Sequence, residues 1–292
     1  MSTILSEKKT LSPWAKGGIG LGAGALLLVL VGLLFPTAAA FFPLVSLWCS
    51  CVLFYGALWV LHTAGVELDF FHRAAIIAFW AGAVLYFYWA LGRRQFIYAW
   101  DYVNYIQKQF NTEAAFALGP VAGFKYIIST FSEDYTNFIT LFTEFPFCLT
   151  AKTGDSYAFS QVFCVLPSLM LMLAGLTIKI GQILEVKNKF WYFIIGFSWV
   201  LTYPFLRMSA MLAQPDCFGL IFAFAILLLT LDYRFEKLEP GRFVLIFLAT
   251  AAIILSRRWY LYFVVGYYFS YALLLFVSSA KLAKQGQKGL AL

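Results

Sequence analysis

Long apolar runs alternate with short polar segments along most of the chain. A hydrocarbon core of about 30 Å is crossed by roughly 20 apolar residues in a helix, and eight runs approach this length. The predicted spans are 17–36, 41–62, 74–92, 156–178, 190–207, 218–232, 243–256 and 259–279. The pattern therefore predicts an all-α polytopic membrane protein, with about eight transmembrane helices in a single transmembrane domain, residues 1–292.

One long segment, 93–155, lies between the third and fourth predicted spans and is too polar to be a span itself. We expect it to form a long loop that carries amphipathic helices. If 98–110 is a helix, one face carries residues at the i, i+3, i+4, i+7 spacing, namely Tyr98, Asp101, Tyr102 and Tyr105.

The composition agrees with a chain that lies mostly in lipid. Of its 292 residues, 62% are hydrophobic and 12% are charged, against about 25% charged in an ordinary soluble domain. A soluble fold and a disordered chain are both excluded by this balance. The cysteines are odd in number and form no CxxC pair, so we expect small apolar residues rather than disulfides or zinc ligands. They are Cys49, Cys51, Cys148, Cys164 and Cys217.

Lysine and arginine are distributed unevenly between the two sides of this predicted topology. With the N-terminus in the cytoplasm, 13 of the 21 Lys and Arg residues fall on the cytoplasmic side, as the positive-inside rule favours. Both termini are then cytoplasmic, and segment 93–155 shares the outer face with the turns at Asp216 and Arg257–Arg258. The net charge of +7 follows from this bias and from anionic lipid, so no nucleic-acid partner is expected.

Asp101 is the first candidate for chemistry, because it lies among Trp100, Tyr102 and Tyr105 just after the third span. A carboxylate beside aromatic rings at the lipid boundary is partly desolvated, which raises its proton affinity and suits a general base. The alternative is an interfacial amphipathic helix with an aromatic belt.

Two further acidic features fall on the same predicted face. Glu133 and Asp134 follow Ser132 and precede an apolar stretch, and Asp216 follows a proline at the start of the sixth span. Each has an ordinary structural interpretation, since Ser or Asp at an N-cap and acids in a first turn stabilise a helix. The functional alternative is that they contact an acceptor, a sugar or a metal.

Two arginine pairs also lie on the outer side, against the positive-inside trend. Arg93–Arg94 follows the third span, and Arg257–Arg258 separates the last two spans with almost no loop, followed by Trp259 and Tyr260. Because the guanidinium fork matches a phosphate, these pairs indicate binding of a lipid phosphate. The structural alternative is anchoring to phospholipid headgroups.

Several common chemistries are missing from the sequence. It has no glycine-rich phosphate loop and no metalloprotease motif, and its two histidines, His62 and His72, fall on the cytoplasmic side of the prediction. The predicted spans carry few charges, which argues against a proton-coupled transporter.

The order of these features resembles the GT-C superfamily of polyprenyl-phosphate-sugar-dependent glycosyltransferases. In that superfamily the catalytic acid lies early in the first large outer loop, the position of Asp101. The EDYxN segment at 133–137, the QPD at 214–216 and the RRWYxYxVVGYY run at 257–268 also look like bacterial GT-C proteins of Gram-positive envelopes. The resemblance covers roughly residues 90–279, and two predicted spans precede the one that would be the first core helix of the superfamily.

The resemblance implies an enzyme of the bacterial plasma membrane that transfers a sugar, with inversion, from a polyprenyl-phosphate donor to a glycan, lipid or protein acceptor. Asp101 would be the general base. The residues implied in substrate binding are Arg93, Arg94, Trp100, Tyr102, Tyr105, Glu133, Asp134, Asp216, Arg257, Arg258, Trp259 and Tyr260.

No cofactor is required by this expectation. A divalent metal such as Mg²⁺ or Mn²⁺ stays open, because Asp101, Asp134 and Asp216 would be suitable ligands if they converge. Two alternatives also stay open: a transporter or flippase of lipid-linked sugars, and a non-catalytic envelope assembly protein.

Overall fold

In the computed structural model, residues 12–35, 40–91, 93, 101–202, 216–233 and 239–284 are described, and their regular secondary structure is helical throughout. The helices are α1 (Pro13–Leu34), α2 (Phe41–Thr63), α3 (Phe70–Leu91), α4 (Asp101–Ala117), α5 (Pro120–Ser129), α6 (Thr140–Phe147), α7 (Gly154–Cys164), α8 (Leu166–Ile183), α9 (Lys189–Thr202), α10 (Asp216–Thr230), α11 (Pro240–Ser256) and α12 (Tyr260–Lys284). The predicted all-α class is confirmed for this part of the chain.

Five of these helices are long and apolar enough to cross a membrane, namely α1, α2, α3, α8 and α12. Helices α10 and α11 are apolar but have 15 and 17 residues. At 1.5 Å per residue they are about 22 and 26 Å long, shorter than a hydrocarbon core of about 30 Å. A membrane-spanning helical protein is therefore supported, while the count of eight spans and the cytoplasmic termini stay predictions.

The predicted span 156–178 is divided in the structure. Helix α7 ends at Cys164, and α8 begins at Leu166, followed by Pro167 in its first turn. Proline has no N–H to continue the hydrogen bonding of the preceding helix, but it fits the first turn of a new one. The membrane-length helix therefore begins about three turns later than the hydropathy pattern predicts.

Helices α8 and α10 form the centre of the bundle. Leu169, Met172, Phe218 and Ile226 are all fully buried there. In contrast, no residue of the most apolar stretch of α1 is buried, and α12 buries only a small share of its own. The central helices bury their side chains in protein, and the peripheral helices leave theirs for lipid.

Segment 101–164 folds into α4 to α7, so the long polar segment does carry helices. Helix α4 buries one face, formed by Tyr105, Gln109, Thr112 and Phe116. Their i, i+4, i+7, i+11 spacing is that of an amphipathic helix. Helix α6 packs on α2, where the hydroxyl of Ser46 accepts a hydrogen bond from the backbone N–H of Phe145 at 3.0 Å.

Polar contacts tie together the connections at one end of the bundle, which we call the Lys179 end. The Lys179 ammonium donates to the carbonyl of Ala64 at 2.8 Å and pairs with Asp232, which also pairs with Arg242. The opposite end, which we call the Arg257 end, carries segment 101–164, Asp216 and Arg257.

Candidate functional site

The centre of the candidate site is an ion pair between two helix ends. Arg257 follows the last residue of α11 with an extended backbone, and Asp216 is the first residue of α10. One guanidinium nitrogen of Arg257 lies 3.1 Å from Oδ1 of Asp216, and their side chains are 19% and 20% exposed. The Tyr260 hydroxyl donates to the Asp216 carbonyl at 3.1 Å. The first turn of α10 is therefore bound to the α11–α12 turn.

Arg257 also lies over the ring of Tyr135, with 5.6 Å from its Cζ atom to the ring centroid. Burial alone would lower the pKa of Arg257, but the neighbouring Asp216 carboxylate raises it above its ordinary value. The guanidinium is consequently a permanent, partly desolvated positive charge, which is the kind of group that stabilises an anion.

A second ion pair holds the segment 132–136 against the same turn. Arg258 lies 3.4 Å from Asp134 Oδ1, its backbone N–H donates to the Asp134 carbonyl at 3.4 Å, and Thr136 Oγ1 donates to the Leu255 carbonyl. The segment is a series of turns and bends, and α6 begins only at Thr140. The N-cap interpretation of Ser132 is therefore wrong, because the chain makes turns onto α11 here instead of starting a helix.

The two pairs differ in exposure. Arg258 and Asp134 are 62% and 63% exposed, about three times more than Arg257 and Asp216. An exposed ion pair contributes about 0–1 kcal/mol, so Arg258 is easily released to another anion. Arg257 is therefore held in place by its partly buried ion pair, whereas Arg258 is able to change partners.

Asp101 is the first residue of α4, where the structure describes the backbone of Asp101 and Tyr102. One turn later the ring of Tyr105 is 1% exposed and lies edge-on to Tyr135, with 5.6 Å between ring centroids. Burial raises the pKa of Tyr105, and its hydroxyl has no hydrogen-bond partner among the described residues. The Tyr105 ring is thus buried beneath the site, and its role in substrate binding stays a prediction.

A small cavity of about 220 Å³ opens beside the first ion pair. It is lined by Asp216, Arg257, Trp259 and Tyr260, and the Trp259 side chain is 63% exposed. Tyr260 reaches this position because α10 has a glycine beneath its ring: a Cβ atom at Gly219 would lie 2.2 Å from that ring. The close approach of α10 and α12 positions the aromatic wall of the cavity.

The remaining predicted residues are more dispersed. Arg93 lies over the Trp89 ring, 4.9 Å from its centroid, and Glu133 pairs with Lys108 at 2.7 Å instead of joining the arginines. Arg94 and Trp100 lie outside the described residues. Tyr135 is the site residue that sequence reasoning missed, although the EDYxN segment contained it.

The acids of the site do not form a metal cluster in the described ranges. No group of three or more His, Cys, Asp or Glu residues there could hold a metal ion. Asp134 and Asp216 each contact an arginine, and His62 and His72 line a cavity at the Lys179 end. A divalent metal at the site stays a prediction, because the Asp101 side chain lies outside what the structure describes.

A buried polar cluster beneath the site was also missed. Glu144 on α6 is 1% exposed and accepts a hydrogen bond from Gln109 at 2.6 Å, and Gln109 accepts one from Thr143 at 2.7 Å. Burial raises the pKa of Glu144 to about 7, against the hydrogen bond from Gln109, which lowers it. An acid within an apolar-looking segment gave no sign in the sequence that it would be buried.

Comparison with protein-family models, with curated proteins and with solved structures finds no match to this chain. The geometry of the Arg257 end is therefore the main guide to function.

Proposed function

We propose that the protein is a membrane glycosyltransferase, which moves a sugar from a polyprenyl-phosphate donor to a glycan, lipid or protein acceptor of the bacterial envelope. The observation that carries the proposal is the meeting of Arg257, Arg258, Asp134 and Asp216 at one end of a bundle of apolar helices. The positive-inside bias predicts that this end faces the outer side of the plasma membrane, where lipid-linked sugars would reach it.

The two arginines suit the donor phosphate in different ways. Arg257, held by Asp216 and backed by the Tyr135 ring, provides a charge whose position is already fixed before the donor binds. Arg258 exchanges its exposed partner Asp134 for the phosphate at little energetic cost. Negative charge grows on the phosphate as the glycosidic bond breaks, so both arginines stabilise the transition state more than the ground state.

The proposed base is Asp101. It begins α4 one turn before Tyr105, whose ring contacts Tyr135 beneath Arg257. Asp101 takes the proton of the acceptor hydroxyl, the hydroxyl oxygen forms a bond to the anomeric carbon, and the bond from that carbon to the phosphate oxygen breaks. Polyprenyl phosphate leaves with the electron pair, and the anomeric configuration is inverted.

The aromatic residues at the cavity mouth suit the sugar. Trp259 is exposed beside Arg257, and an aromatic face of this kind packs on the apolar face of a sugar ring or on a prenyl chain. Asp216 Oδ1, already 3.3 Å from the Tyr260 hydroxyl, is positioned to accept a hydrogen bond from a sugar hydroxyl.

The test is release of free polyprenyl phosphate by the purified protein in liposomes, with several polyprenyl-phosphate sugars and crude envelope acceptors. Asp101→Asn should lower the rate by about 10²–10⁴-fold, as expected for loss of a positioned base. Arg258→Gln should lower the rate with a rise in donor KM. Lys125→Gln is the matched control, because this exposed lysine of α5 is not one of the proposed site residues, and it should leave the rate unchanged.

Two results would overturn the proposal. Absence of release by the wild type with every donor would refute a transferase, and movement of the labelled donor across the bilayer in the same liposomes would then identify a flippase. Full activity of Asp101→Asn would refute Asp101 as the base.

A further inference from the structure

A large cavity among the described residues lies at the Lys179 end, away from the proposed transferase site. Its volume is about 940 Å³, within the range of roughly 300–1,000 Å³ that is usual for small-molecule sites. Residues of α1, α2, α3, α8 and α9 form its walls, together with the α2–α3 connection. We call it the α2–α3 cavity.

Polar and apolar residues are separated along the depth of this cavity. His62 ends the polar rim on α2, and Phe54 lies about 12 Å deeper on the same helix. On α8, Gln182 is at the rim and Leu171 lies about 16 Å deeper. The cavity is therefore an apolar slot with a polar opening at the helix ends, a shape that fits an amphiphile with its chains inward and its headgroup at the rim.

Two cations of the rim have no carboxylate partner in the part of the chain that the structure describes. The Nε–H of Arg73 donates a hydrogen bond to the Leu68 carbonyl at 2.9 Å, and its guanidinium makes no ion pair with a described residue. Lys189 makes no ion pair with a described residue either. Both side chains are exposed at the start of a helix, α3 and α9 respectively. Together they offer a guanidinium and an ammonium group to a phosphate.

Two carboxylates share the same rim. Asp69 lies 2.8 Å from Nδ1 of His72 and also accepts the backbone N–H of His72 at 2.8 Å. Glu67 is exposed and has no such partner among the described residues. A purely anionic headgroup would be repelled by these carboxylates. A headgroup with both a phosphate and an ammonium group can pair its phosphate with the two cations and its ammonium group with the carboxylates.

An aromatic pair completes the rim. The Trp14 indole stacks on the His62 ring, with 4.7 Å between centroids and 23° between planes. An ammonium group is attracted to the face of an indole, and tryptophan is favoured at the depth of lipid headgroups. Trp14 therefore both suits the ammonium group and provides a fluorescent reporter of what enters the cavity.

We propose that the α2–α3 cavity binds one zwitterionic phospholipid, with its phosphate at Arg73 and Lys189, its ammonium group at Glu67 and Trp14, and an acyl chain along Phe54 and Leu171. This lipid would fill the space between α2, α3 and α8 and hold their ends together. The site is separate from Arg257, so its occupancy and the transferase proposal succeed or fail independently.

The test measures lipid retained by the delipidated full chain in detergent, by native mass spectrometry. The probes are phosphatidylethanolamine, phosphatidylglycerol, diacylglycerol and the chain-free headgroup glycerophosphoethanolamine. We expect one retained phosphatidylethanolamine per chain, and no retention of the headgroup. The two other lipids should be retained at least about tenfold less, because loss of one charge-assisted contact weakens the affinity about tenfold. The Arg73→Gln, Lys189→Gln double variant should retain at least about tenfold less phosphatidylethanolamine. Lys125→Gln should retain as much phosphatidylethanolamine as the wild type.

A second measurement does not depend on these variants. Phosphatidylethanolamine with a nitroxide label on its acyl chain close to the glycerol should quench the fluorescence of the wild type more than that of Trp14→Phe, which lacks the reporter at the rim. Equal retention of all three lipids, which is the result for an annular lipid, would overturn the proposal. Unchanged retention by the double variant, or equal quenching with and without Trp14, would overturn it as well.

Discussion

The buried carboxyl group of Glu144 makes the stability of the fold depend on pH. The side chain is 1% exposed on α6, outside the candidate spans, and burial raises its pKa from 4.5 to about 7. Below pH 4.5 the group is protonated in both the folded and the unfolded chain. Between pH 4.5 and 7 the unfolded chain releases the proton and the folded chain keeps it, so rising pH favours unfolding.

The magnitude follows from the same values. Each pH unit in this window lowers the free energy of unfolding by at most about 1.4 kcal/mol, and the loss totals about 3 kcal/mol by pH 7. Above pH 7 the group is ionised in both states and the loss no longer grows. Glu144→Gln removes the titration and keeps an oxygen that accepts the hydrogen bond from Gln109.

The assay is thermal unfolding of the purified protein in detergent, followed by tryptophan fluorescence between pH 5 and 8. The wild type should lose stability over this range by about 2–3 kcal/mol more than Glu144→Gln, and the variant should be the more stable protein at pH 8. Glu185→Gln, which changes an exposed carboxyl beyond α8, should follow the wild type. Parallel pH curves for the wild type and Glu144→Gln would refute the reasoning.

Three further predictions concern contacts that hold the helix ends, each measured as a change in thermal unfolding at pH 7. Asp216→Asn should destabilise the fold by about 1–3 kcal/mol, because a mostly buried guanidinium loses its carboxylate, whereas Asp134→Asn should cost less than about 1 kcal/mol, because that pair is exposed. Asp232→Asn should cost more than Asp134→Asn, because it leaves two buried cations without their shared carboxylate. Gly219→Ala should destabilise the fold instead of adding the roughly 1 kcal/mol usual for this change in a helix, because the new Cβ lies 2.2 Å from the Tyr260 ring.

Matched changes separate these effects from general damage. Gly82→Ala is the control for Gly219→Ala, because a Cβ at Gly82 on α3 meets no atom within 4 Å, and it should be neutral or stabilising. If Asp216→Asn and Asp134→Asn lower the free energy of unfolding by the same amount, the exposure of the two ion pairs does not determine how much each one stabilises the fold. An Asp232→Asn variant as stable as the wild type would show that the Asp232 carboxylate does not stabilise the Lys179 end.

The sequence alone determined the helical class and the membrane character, because both depend on local composition. A helix that crosses lipid satisfies its own backbone groups and needs only a long apolar run, so α1, α2, α3 and α12 lie close to the predicted spans. The amphipathic helix α4 was also predictable, since the spacing of its buried residues is a property of consecutive residues.

The tertiary structure decided which distant residues meet. Asp216 and Arg257 are 41 positions apart, and Asp134 and Arg258 are 124 apart, so only the packing of α10, α11 and the 132–136 turns brings each pair together. Their shared face followed from the predicted topology, but the pairing of each acid with one arginine did not. The side chain of Tyr105 was predicted at the site and is buried beneath it, because a helix face that looks interfacial in sequence packs against Tyr135.

Burial and cavities are likewise properties of the packed bundle. The sequence around Glu144 does not say whether its side chain is buried, and its pKa is raised to about 7 because the packed helices bury it. The α2–α3 cavity depends on side chains from five helices whose separation no local pattern specifies. Hydropathy is a property of consecutive residues and can be read from the sequence. Ion pairs, buried acids and cavities depend on distances between helices, which only the folded structure sets.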